Sequence, residues 1–210
     1  MNRDEIRRAI EAERLDLADL LDGLDPADWS VASLCPQWTV RDVVAHLALG
    51  TRLSRPAAIV AMVRARGNID RMIGDTARHW SARYTPAELV AQLRETAGSP
   101  HRPPGTTVDD PLVDVLVHGQ DIARPLDRTR VILPARAEPA LDRVWRSGFY
   151  GARKRFRGLR LVATDLAWAA GDGPEVRGPA GDLLLVATGR PAGLTALSGP
   201  GRAAAAARVT

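Results

Sequence analysis

Cysteine is almost absent from this chain: Cys35 is the only one. A single thiol builds no disulfide framework and excludes a zinc site made of several cysteines. Lysine is equally scarce. Lys154 is the one lysine, so arginine carries nearly all the positive charge. Aromatic residues make up 4% of the chain, and Trp outnumbers Phe and Tyr combined. No apolar run reaches the roughly 18–20 residues of a membrane span, so no membrane partner is expected. Met1-Asn2-Arg3-Asp4-Glu5 begins a charged helical pattern where a signal peptide would be apolar, and a cytoplasmic location is expected. No nucleic-acid-binding motif occurs.

What is present fits a soluble globular chain. Of the 210 residues, 45% are apolar and 26% charged, with a net charge of +4 and acidic residues interspersed among the basic ones. That length suits one large domain, or an ordinary one with a small companion. The densest basic cluster, Arg153-Lys154-Arg155-Phe156-Arg157, reads as a solvated helix end or linker.

Local signals place most elements. Asn2, Asp4 and Glu5 suit the start of a helix over 2–22, with Ile6, Ile10, Leu15, Leu17, Leu20 and Leu21 as its apolar face. Residues 24–38 form a loop holding Trp29, Cys35-Pro36 and Trp38. Thr39 and Asp42 stand as N-cap and N3 of a second helix, which is expected to run to Ser54 with Val40, Val43, Val44 and Leu47 inward. Arg55-Pro56 breaks it, and a further helical segment continues towards Ile73. Thr85-Pro86-Ala87-Glu88 is the strongest helix start in the chain. A loop rich in Pro and Gly spans 99–108. Asp109 or Asp110 with Pro111 then opens a helix that stops near Pro125, and another helix is expected over 135–150. After that the texture changes. Residues 158–164 alternate as a strand, Trp168 and Val176 mark two more, and 180–188 forms a buried helix. A short helix over 192–197 follows, and the Ala-rich 202–210 tail is expected to fray. The division expected is a helical domain, 1–152, and a small α/β domain, 153–210.

The chemistry concentrates on one helix. Asp114 and His118 are four residues apart and Asp121 three further on, so all three share a face. The spacing suits either a plain Asp–His pair or two ligands of one ion. His46 lies on the flank of the second helix's apolar stripe. If the two helices pack side by side, His46, Asp114 and His118 make a set of two imidazoles and one carboxylate. Such a set leaves positions open for water or substrate and suits Zn²⁺, Fe²⁺ or Ni²⁺. His79 and His101 read as surface or packing residues. Cys35, before a proline, reads as a small buried hydrophobe.

The segment Cys35-Pro36-Gln37-Trp38-Thr39-Val40-Arg41-Asp42-Val43-Val44-Ala45-His46-Leu47 resembles the Trp-to-His signature of the mycothiol-dependent maleylpyruvate isomerase family, a branch of the DinB-like metal-binding bundles. Val113 to Leu126 is similar to that family's second signature, and 171–178 with Thr188-Gly189-Arg190 to its C-terminal domain. The resemblance implies a mainly α fold: a DinB-like four-helix bundle followed by a small α/β domain. It also implies a divalent metal, zinc foremost, on His46, Asp114 and His118. Asp114 stands where the family pattern has Glu, one methylene longer. The implied activity is isomerisation or S-transfer on a small electrophile, with a mycothiol-type thiol as cosubstrate and no nucleic acid or membrane as partner, in a monomer or homodimer. Arg190 and Asp121 are the candidate catalytic residues, and Arg41 is the candidate for holding a carboxylate of the thiol or substrate. Two rival readings are open. One is a non-catalytic binding module, marked by a filled metal site with no solvent-open position or by an apolar cavity lined by Trp145, Trp168 and Leu183 to Leu185. The other is a metal-dependent hydrolase with Asp121 as general base.

Overall fold

The computed structural model describes residues 1–103 and 105–209. Pro104, inside the expected 99–108 loop, and Thr210, at the end of the Ala-rich tail, lie outside the described residues. The chain divides into two compact units, Met1–Arg130 and Val131–Thr210.

The helices of the first unit are α1 (Arg3–Asp22), α2 (Val40–Gly50), α3 (Arg55–Arg64), α4 (Ile69–Arg83), α5 (Pro86–Glu95) and α6 (Asp110–Ala123). Three of these helices begin with a reciprocal capping box, made by Asn2 and Glu5, Thr39 and Asp42, and Thr85 and Glu88. Each box pairs amide groups that the helix itself leaves without partners. At α6 the Asp110 carboxylate instead accepts from the Thr107 N–H at 2.6 Å and its hydroxyl at 3.0 Å. Helix α2 packs on α4, α5 and α6, while α1 packs on α5 and α6. Leu17, Leu21, Val43, Val44, Leu89, Leu93, Val115 and Ile122 fill the space between them. Leu15, expected on the apolar face of α1, is instead 38% exposed.

Two helix boundaries in this unit differ from expectation, and the helix expected over 135–150 ends at Arg146. The second helix ends at Gly50, not Ser54, because the Ser54 hydroxyl caps α3 by accepting from the Ala57 N–H at 3.3 Å. The expected run towards Ile73 is broken between α3 and α4. Arg66 (φ 55°) and Gly67 (φ 78°) are both left-handed, which no right-handed helix accommodates, and Asn68 starts α4 afresh.

The second unit holds α7 (Pro134–Arg146), α8 (Ala152–Arg155), β1 (Arg160–Ala163), β2 (Ala169–Gly171), β3 (Glu175–Gly178), α9 (Ala180–Ala187) and α10 (Arg202–Val209). The sheet order is β2-β1-β3. Leu161 opposes Ala170 in the antiparallel pair and Val176 in the parallel one. Gly171 (φ 86°) closes the β2 end, where an added Cβ would stand 2.3 Å from the Leu159 carbonyl oxygen. Leu183 to Val186 on α9 are fully buried, and α9 packs on α7. That packing moves the boundary between units from the expected 152/153 to 130/131, since α7 shares its apolar face with α9. The tail is helical to Val209, not frayed. Ala205 is buried, and the Arg208 guanidinium donates to the carbonyls of Arg155 (3.2 Å) and Arg157 (2.8 Å). The basic cluster around α8 is thus partly a docking point for α10. The first unit thus forms a helical bundle, with a small α/β part after it.

Candidate metal centre

Helices α2 and α6 pack together because each contributes apolar residues to one core cluster, Val40, Val43, Val44 and Leu47 from one and Val115 and Ile122 from the other. His46 flanks the first set and Asp114, His118 and Asp121 lie along the second helix. Their packing brings the four side chains to one place. Asp114 Oδ1 is 3.3 Å from His46 Nε2 and 3.4 Å from His118 Nε2. The side chains of His46, Asp114 and His118 are 20%, 38% and 13% exposed, so the group is recessed but open to solvent.

The donor set fits a divalent metal. One ligand atom from each of His46, Asp114 and His118 lies within 4.8 Å of the others. Donor atoms about 2.0–2.1 Å from a tetrahedral zinc stand roughly 3.3–3.4 Å apart. The two nitrogen-to-oxygen separations match that edge. The short Asp114 side chain thus brings its oxygen into line with both imidazoles.

The charge state suits the same role. Burial pushes the Asp114 carboxyl up, but the His46 charge and hydrogen bond, His118 and Arg14 together pull it down further, to about 2. The carboxylate is ionised across the physiological range. Arg14, on α1, is itself lowered by burial and partly restored by Asp114.

Behind His118 lies a second layer. Its Nδ1 is 2.8 Å from Asp121 Oδ2, and the Asp121 side chain is fully buried. An imidazole that donates Nδ1–H to a carboxylate keeps the Nε2 lone pair for an ion. The Cys35 thiol donates to the same Asp121 oxygen at 3.0 Å and sits 3.6 Å from His118 Nδ1. Cys35, His118 and Asp121 form a second donor cluster on the other nitrogen of the same ring. Cys35 is therefore more than the packing residue it resembled. Its loop is anchored to α6 by the Leu34 N–H, which donates to the Asp121 carbonyl at 3.1 Å. Within the loop, the Ser33 hydroxyl donates to the Trp38 carbonyl at 2.9 Å. This presents Trp38 to both imidazoles, with ring centroids 5.4 Å from His46 and 6.2 Å from His118.

Sequence reasoning missed Cys35, Trp38 and Arg14 as site neighbours. Cys35 and Trp38 lay within the signature segment, and that position was the available signal. Arg14 had none, being one arginine among many. The remaining candidates fall elsewhere. Arg41, at the start of α2, donates to the Tyr84 carbonyl at 2.7 Å, and its Nε is buried with no partner among the described residues. Arg190 belongs to the second unit, where it donates to the Thr188 carbonyl at 2.8 Å. His79 is exposed, and His101 Nε2 is 3.0 Å from the Leu53 carbonyl oxygen.

Comparison with known proteins bears on the family and the fold. The family model of the mycothiol maleylpyruvate isomerase N-terminal domain matches residues 10–123, more than half of the chain. Two solved structures are similar over 95% of this chain and 93% of theirs, at 15% identity. They are crystal structures of the mycothiol-dependent maleylpyruvate isomerase (TM-score 0.67) and of a histidine-to-alanine mutant of it (TM-score 0.66). At that identity the likeness establishes the fold. No curated protein matches the chain in sequence.

Proposed function

Because the chain belongs to the mycothiol maleylpyruvate isomerase family, we propose that it is a divalent-metal enzyme using a mycothiol-type thiol on a small electrophilic substrate. The observation that carries this reading is the convergence of His46 Nε2 and His118 Nε2 on one oxygen of Asp114. His46, Asp114 and His118 would hold the metal, with zinc as the ion of choice. A divalent ion held there would supply the Lewis acidity that lowers the pKa of a thiol towards neutral pH.

The chain's own residues set the stage for that chemistry. Asp121 holds the Nδ1 proton of His118 and so fixes its tautomer. Trp38 lies against both imidazoles and helps fix their orientation. Arg41 and Arg190 remain the candidates for gripping carboxylates of thiol or substrate. The thiolate adds to one carbon of a conjugated C=C as its π electrons move onto the adjoining carbonyl. If the S–C bond breaks again after rotation about the resulting single bond, the C=C re-forms and the outcome is isomerisation. If the neighbouring carbon takes up the thiol proton instead, the S–C bond stays and the thiol is transferred to the substrate. The enzyme is read as cytoplasmic, working as a monomer or homodimer; no helix among the described residues is long and apolar enough to cross a membrane.

The hydrolase alternative loses its general base, since the Asp121 side chain is fully buried and engaged by His118 and Cys35. The apolar cavity of the binding-module alternative is replaced by packed core. Leu183 to Leu185 are fully buried, and Trp168 is buried with its indole N–H donating to Asp142 at 3.0 Å.

Elemental analysis of the purified protein tests the centre. Metal is expected in the wild type and lost in His46→Ala and His118→Ala; retention in both variants would refute the site. Mycothiol should then shift the visible spectrum of the cobalt-substituted protein and support isomerisation of maleylpyruvate. No spectral shift would refute thiol ligation.

A further inference from the structure

One turn of α6 below Asp114 lies a recess of about 30 Å³, lined by Arg7, Arg14, Gly98, His101, Arg102 and Pro111 among others. A carboxylate group, not a whole ligand, fits that volume, which is two to three times what one water needs. Its deepest cation is Arg14, 7% exposed. Arg14 Nη1 donates to the carbonyls of Thr96 (3.3 Å) and Ala97 (3.1 Å) at the C-terminus of α5. Its Nε and Nη2 groups have no hydrogen-bond partner among the described residues. Neither atom is sealed from solvent.

We propose that this recess is an anion subsite in which Arg14 holds a ligand carboxylate through its Nε and Nη2 edge. That edge presents two parallel N–H groups, the geometry that pairs with the two oxygens of a carboxylate. Three of the five guanidinium N–H donors are thus left to solvent, and a carboxylate there adds charge pairing that water does not. Arg7 and Arg102 stand at the rim as further cations, and His101 joins them there. Two acidic groups oppose them. Asp4 lies 3.7 Å from Arg7, and the Glu11 carboxylate packs beside Gly98. Both are exposed, so their fields are screened. Asp114, the anion in the field of Arg14, is offset by His46 and His118. Pro111, which lines the recess, and Asp114 share a face of α6, so the recess lies on the side of the helix that carries the candidate metal ligand. The subsite thus deepens the proposed function, resting on that reading for its role but not for its existence.

The test is a titration of ¹⁵N-labelled, metal-loaded protein with sodium acetate at constant ionic strength, read at the amides of Ala97, Gly98 and Ser99. Saturable shifts are expected, with the dissociation constant raised about tenfold in Arg14→Met and only partly restored in Arg14→Lys. Arg7→Gln combined with Arg102→Gln leaves the α5 carbonyl contacts intact and should weaken acetate about threefold; this decides the matter if Arg14→Met does not fold. In metal-free His46→Ala the acetate shifts should persist. Their disappearance would place acetate on the metal and overturn the subsite while leaving the metal reading intact. Unchanged affinity in the arginine variants, or tighter binding of inorganic phosphate than of acetate, would likewise overturn it.

Discussion

Replacing Asp121 by Asn changes one atom and tests the layer behind His118. Asp121 Oδ2 accepts from His118 Nδ1 at 2.8 Å and from the Cys35 thiol at 3.0 Å, in a side chain with no exposure. Asparagine keeps one oxygen acceptor but loses the charge and gains an NH₂ group that cannot accept. The His118 Nδ1–H then meets either a neutral amide oxygen, a weaker acceptor than a carboxylate, or an NH₂ group that cannot accept, and its Nε2 becomes a poorer ligand. Loss of such a carboxylate behind a metal-bound imidazole typically costs 10–100-fold in metal affinity, about 1.4–2.7 kcal/mol. Titrating zinc into apo protein against a chromophoric chelator measures this directly. Cys35→Ala provides an internal comparison. It removes only a weak S–H donor, so its effect should be smaller, about threefold or less. Zinc affinity within twofold of wild type in folded Asp121→Asn, or a larger loss in Cys35→Ala, would refute the arrangement.

Three further outcomes follow from the same geometry. Asp114 has its folded-state pKa depressed from 3.8 to about 2: burial raises it, but His46, His118 and Arg14 outweigh that. Its contribution to stability is complete above about pH 4 and is lost as pH falls towards 2, so Asp114→Asn should flatten the acid limb of Tm against pH in metal-free protein. Gly119→Ala should destabilise the first unit by about 1–3 kcal/mol in urea unfolding. The new Cβ would stand 2.6 Å from Arg130 Nε, whose buried side chain is held by Glu13 and Asp16 and cannot swing away. Thr39→Ala removes the capping box of the helix that carries His46 and should cost about 1 kcal/mol of stability by thermal unfolding.

The helix starts were the most legible part of the fold, because capping is local. Thr39 with Asp42 and Thr85 with Glu88 are three residues apart, so the chain need not fold to reveal them. Helix ends were less legible. The stop at Gly50 and the break at Arg66-Gly67 depend on which backbone wells the surrounding packing selects. The same limit applied to α7. Its helical period was readable, but not that its apolar face would join α9 and move the boundary to 130/131.

The candidate centre divides in the same way. The sequence by itself determined that Asp114, His118 and Asp121 share a stripe of one helix, since 3.6 residues per turn leave no other outcome. It also determined that His46 flanks the apolar face of another. Only the tertiary structure decided that these helices meet with both imidazoles on one Asp114 oxygen. Only there do the Cys35 thiol, the Trp38 ring and the Arg14 guanidinium come to the same site. The physical reason is that such contacts join residues far apart in the chain, and their geometry is set by how the apolar stripes pack, to which the polar side chains themselves contribute little.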